Sequence, residues 1–70
     1  MGRDKMTQYN FPTNLRKIRK EKKLSQKELA DGIGVSQITI SAWERSDRYP
    51  TIDKIYDAAR FLHTSVDKLI

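Results

Sequence analysis

Four consecutive residues, Ser36, Gln37, Ile38 and Thr39, combine two hydroxyls, an amide and a branched hydrocarbon on one short stretch. An amide side chain can bond the N6 and N7 edge of adenine bidentately in a DNA major groove, and small or apolar groups can meet a thymine methyl. A β-branched apolar side chain such as Ile38 suits such a methyl, or a partner protein, better than it suits plain water. No competing chemistry is as well formed. His63 is the single histidine and there is no cysteine, so a metal site would have no second nitrogen or sulfur ligand. Asp53 and Asp57 stand one helical turn apart, but carboxylates near a helix start are favoured by the helix dipole without a metal. No glycine-rich phosphate cradle is present, and no enzyme, cofactor or small-molecule substrate is expected.

Composition sets the frame for these residues. The chain has 70 residues and a net charge of +5. A single domain of this size buries only about 60% of its unfolded surface, so close helix packing or dimerisation must supply stability. The charge is lopsided. Residues 1–23 hold eight basic and two acidic residues, and residues 24–70 hold six and seven. A basic end of this kind implies a polyanionic partner. No apolar run approaches the roughly 20 residues of a membrane span and no secretory leader is visible, so a cytoplasmic protein without membrane contact is expected.

The apolar spacing predicts an all-α bundle of four to five short helices. Residues 1–13 show no periodicity and read as a flexible basic arm, with Pro12 as a breaker and Thr13 as a helix cap. A domain follows over residues 14–70. Leu15 and Ile18 face inward on a first helix from Asn14 to Lys23. Ser25 with Glu28 makes a capping box for a second helix carrying Leu29, Ala30 and Ile33. Gly34 follows the last periodic residue, where a left-handed backbone is cheap only for Gly or Asn. Val35 should drop beneath that turn, and Ser36 restarts the chain as a cap. Ile40 and Trp43 then face the core, with Gln37, Ile38, Ser41, Ala42 and Arg45 on or beside the opposite face. Thr51 caps a fourth helix whose Ile52, Ile55, Tyr56, Ala59 and Leu62 form an inward stripe. Ser65 caps a last turn. Gly32 lies inside the second helix, where it costs up to about 1 kcal/mol against Ala; the turn does not need it, and the sequence gives it no function, close approach of another helix and neutral drift being equal readings. Tyr56, Phe61, Val66, Leu69 and Ile70 exceed what a core this small takes; they suit a homodimer or a heterologous partner, and the dimer face is the favoured reading.

Two short helices joined through a glycine turn, over residues 25–45, form a helix-turn-helix. The combination "LSQKELA…GVS…IS.WE", within "LRKIRKEKKLSQKELADGIGVSQITISAWERSDRYPTIDKI" and continuing to "SVDKLI", resembles the lambda-repressor/Cro-like helix-turn-helix family, often called the XRE family. The resemblance covers residues 15–70. It implies a sequence-specific, double-stranded-DNA-binding transcriptional regulator, a repressor, acting as a homodimer on a pseudo-palindromic operator. It implies base reading by Ser36, Gln37, Ile38, Thr39 and Ala42 from a third helix in the major groove. Phosphate contacts are implied for Gln26, Lys27, Ser41, Arg45 and Arg48, with Gln26 also bracing Gln37, and a structural ion pair for Arg19 and Glu44. Ser46 and His63 stand where the family favours glycine, and Ala42 where relatives carry longer side chains. The alternative reading is a protein-interaction module, such as an antitoxin or an accessory subunit of a larger complex.

Overall fold

The computed structural model describes residues 10–70. Five helices follow in order: α1 (Phe11–Glu21), α2 (Gln26–Ile33), α3 (Gln37–Glu44), α4 (Ile52–Phe61) and α5 (Val66–Leu69). Among the described residues there is no strand, and no helix is long and apolar enough to cross a membrane.

Helix starts follow local chemistry. The Ser25 hydroxyl accepts from the Glu28 N–H at 2.9 Å, and the Glu28 carboxylate accepts from the Ser25 N–H at 2.8 Å. Ser36, Thr51 and Ser65 accept in the same way from the N–H groups of Thr39, Lys54 and Lys68. Each such cap is worth about 1 kcal/mol.

The first helix differs from the expectation. It begins at Phe11, with Asn10 at its N-cap and Pro12 in its first turn, so Thr13 is inside it. Proline is compatible with that position because the missing N–H would be unpaired anyway. Phe11 is buried and meets the Trp43 ring edge-on at 5.8 Å. Residues 11–13, read as part of an arm, therefore belong to the packed domain. The rest of that arm, residues 1–9, lies outside the described residues.

The core joins Phe11 and Leu15 of α1, Leu29, Ala30 and Ile33 of α2, Ile40 and Trp43 of α3, Ala58, Ala59 and Leu62 from the α4 segment, and Leu69 of α5. Two assignments change. Leu69 is fully buried and cannot serve a dimer face. Ile52, read as inward, is exposed, as is Tyr56. At 100° per residue, Ala58, Ala59, Leu62 and Ile55 share the inner arc of α4, while Ile52 and Tyr56 fall on one flank and Phe61 on the other.

Helix ends carry an unexpected uniformity. Lys23, Ser46 and His63 have φ of 60°, 66° and 55°, and Gly34 has 87°. At the three non-glycine ends the next N–H returns to the helix: Leu24 to the Arg19 carbonyl, Asp47 to Ala42 and Thr64 to Ala59. These are Schellman turns. The turns at Ser46 and His63, where the family favours glycine, keep a left-handed form without it. A left-handed non-glycine residue costs roughly 1–2 kcal/mol. Lys23→Gly and His63→Gly should therefore each stabilise the domain, by about 1 kcal/mol after the unfolded-state entropy of glycine is deducted. Urea denaturation checks this, and a fall in the midpoint would show that the lysine stem or the imidazole packs usefully.

Candidate nucleic-acid interface

The helix-turn-helix is assembled by its caps and its underside. Gly34 closes α2, its N–H and that of Val35 both returning to the Ala30 carbonyl at 2.8 and 3.0 Å. Ser36 then restarts the chain as α3. Ile40 and Trp43 anchor that helix, so its outer side begins with Gln37 and Ile38, both exposed. Ile38 stands out at 78% exposure on the helix surface. Thr39 is half-buried, its hydroxyl 3.0 Å from that of Ser36.

Ala42 does not join this surface. It is 6% exposed. The chain after α3 folds back over it, with the Asp47 N–H 2.9 Å and the Arg48 N–H 3.4 Å from its carbonyl. The Ser46 turn causes this, and the expectation that Ala42 meets base edges is corrected accordingly. The outward set is narrower: Ser36, Gln37 and Ile38, with Thr39 at its edge.

Behind α3 lies an ion pair. Arg19 Nε donates to Glu44 Oε2 at 2.7 Å and Nη2 to Oε1 at 3.1 Å, while Nη1 donates to the Leu24 carbonyl at 2.8 Å. The side chains are 10% and 5% exposed. Gln26 Nε2 adds a third donor to Glu44, at 3.1 Å. One carboxylate of α3 is thus held by α1 and by the first residue of α2. Gln26 thus braces Glu44, and in this structure it makes no bond to Gln37. A second hydrogen on that nitrogen is left for another acceptor, beside the free N–H groups of the α2 N-terminus.

The cationic residues differ in how firmly they are held. Lys27 pairs with Asp31 at 3.3 Å on the open surface, an interaction of small worth. Arg45 bonds Asp47 through Nε at 3.0 Å and donates through Nη1 to the Ser41 hydroxyl. Arg48 is exposed. The Arg45–Asp47 contact had no sequence signal, because it depends on the turn at Ser46 bringing the two together. Its effect is to hold the guanidinium along the end of α3 and to offset part of its charge.

The geometry is a helix-turn-helix with an outward polar and methyl-bearing N-terminus on its second helix. The profile of the helix-turn-helix family HTH_3 matches residues 15–69. An uncharacterised HTH-type transcriptional regulator, YqaE of Bacillus subtilis (strain 168), is 35% identical over 60 residues, covering 86% of this chain. The chain spans 52% of that relative, about half its length. Among solved structures, the restriction-modification controller protein C.AhdI from Aeromonas hydrophila superposes with a TM-score of 0.83 at 30% identity, over 87% of this chain and 92% of that one. The P22 c2 repressor in complex with a synthetic operator superposes with a TM-score of 0.81 at 33% identity, over 86% and 91%. On sequence profile, turn geometry and backbone superposition alike, this chain belongs to the helix-turn-helix family HTH_3.

Proposed function

We propose that this protein is a sequence-specific, double-stranded-DNA-binding transcriptional repressor whose α3 enters the major groove. The observation that carries the reading is the outward stand of Gln37 and Ile38 on a helix pinned from behind by Ile40, Trp43 and Glu44. Gln37 reads an adenine edge and Ile38 a thymine methyl, with Ser36 and Thr39 beside them. Gln26, Lys27, Ser41, Arg45 and Arg48 contact phosphates and set the register. The P22 c2 repressor bound to its operator supports this reading, since its backbone superposes over most of the chain.

Two copies act together on a pseudo-palindrome. The charge distribution supports a division of labour. Residues 10–51 hold nine basic and five acidic residues, whereas residues 52–70 hold three of each. The neutral segment carries the exposed Ile52, Tyr56 and Phe61, with Val66 and Ile70 half-buried nearby. Self-association there keeps the cationic surfaces apart and free for DNA. Sedimentation of wild type and Tyr56→Glu checks the dimer: the variant should sediment as a monomer. Capture of a different protein on this face would instead favour the interaction-module reading.

Selection from a random DNA pool tests the function. A consensus with two half-sites about 34 Å apart is expected. No consensus, with binding lost at physiological salt, would defeat the proposal. Arg45→Ala should weaken binding to all sequences alike and lower the salt slope by about one unit. A loss confined to one base position would move Arg45 from the phosphate to the base-reading group.

A further inference from the structure

Gly32 has no part in the turn, yet it is the one residue of α2 whose missing side chain is replaced by another. A Cβ built there would lie 2.2–2.5 Å from Cζ, Cε1 and Cε2 of Phe61. The far edge of the aromatic ring therefore sits in the space that any other residue would fill. Phe61 is the last residue of α4, it is 36% exposed, and Ile33, Asp57 and Arg60 line the shallow depression around it. Asp57 is itself flanked by Lys54 and Arg60, each at 3.8 Å. Leu29, Ala30 and Ile33 already bind α2 to the core. The ring adds a contact on the flank of that stripe, at the end from which the chain leaves for α3.

We propose that Gly32 and Phe61 form a single positioning contact, in which the ring of α4 clamps the C-terminal end of α2 and so sets the direction in which α3 presents Gln37 and Ile38. The inference rests on the reading of α3 as the base-reading helix. Its physical basis is the shortness of the link. Between Gly32 and the Ser36 cap stand only Ile33, Gly34 and Val35, and Gly34 holds a left-handed backbone with no side-chain contact to steady it. A shift at the end of α2 is therefore passed to the start of α3. A methyl at position 32 displaces the ring, and loss of the ring frees the end of α2.

The test compares wild type, Gly32→Ala, Phe61→Ala and the double variant. Each is titrated with one half-site of the DNA selected from a random pool and with a scrambled duplex of the same length, so that any loss of the dimer at Phe61 does not enter the ratio. Mere destabilisation lowers both affinities together, so their ratio is unmoved. The proposal expects Gly32→Ala and Phe61→Ala each to lower the ratio by about fivefold, a typical coupling between touching residues. It expects Gly32→Ala to add nothing once Phe61 is gone. Phe61→Leu, which keeps an apolar side chain of shorter reach, should fall between. Amide resonances of residues 34–38 should move in both single variants. Unchanged ratios with unchanged resonances would reduce the contact to packing and overturn the proposal, as would an undiminished effect of Gly32→Ala without Phe61. A wild-type protein with no preference for the selected duplex would instead overturn the DNA-reading function and this inference with it.

Discussion

Glu44→Ala should destabilise the domain by about 3–5 kcal/mol, the usual result of removing one partner of a buried ion pair. Arg19 would keep its bond to the Leu24 carbonyl but lose the two that it makes to the carboxylate. The Gln26 amide would lose its partner as well. Three helices meet at that carboxylate, so the effect is not local. A domain of this kind has roughly 5–15 kcal/mol in total, and one this small lies at the low end. The variant should therefore be largely unfolded near physiological temperature. Most of that loss is the penalty of an unpaired buried guanidinium, not the worth of the pair. The double variant Arg19→Met with Glu44→Leu should accordingly recover most of the stability, since well-packed apolar replacements of such pairs are often neutral. Urea denaturation of the three proteins decides it. A loss below about 1 kcal/mol for Glu44→Ala would mean that the pair behaves as a solvated surface bridge.

Gln37→Ala should leave stability within about 0.5 kcal/mol, because the residue is exposed and its side chain neither caps the helix nor enters the core. It should nonetheless cost roughly 1–3 kcal/mol of binding to the preferred DNA, the worth of one bidentate amide–adenine contact per half-site. Ile38→Ala has the same character with a different readout. Replacing thymine by uracil at the base it meets should weaken wild type and leave Ile38→Ala indifferent, since the methyl then has no partner on either side.

Much of the fold was legible because its punctuation is local. Ser25 with Glu28, Ser36, Thr51, Ser65 and Gly34 act on backbone groups within three or four residues, and spacing alone reveals them. Phe11 was hidden by Pro12, which reads equally as a breaker or as the first turn of a helix; only the Trp43 ring across the core decides. Ala42 was expected to stand open because the return of Asp47 and Arg48 over it depends on a left-handed serine, which composition does not announce. The apolar residues of α4 and α5 were more numerous than the core could hold, but periodicity leaves the helix rotation free by tens of degrees. Hence Leu69 went inward and Ile52 outward. Gly32 was the plainest case: its reason, the Phe61 ring, lies on another helix far along the chain.

Whether the start of α3 reads base identity is decided by a single set of affinities. Affinities of wild type and Gln37→Ala are determined for the selected duplex and for every single-base-pair change within one half-site. Wild type should discriminate at several positions, and Gln37→Ala should lose its discrimination at one A·T pair while keeping the rest. An equal loss by Gln37→Ala across every duplex would contradict base reading, placing Gln37 on the phosphate backbone.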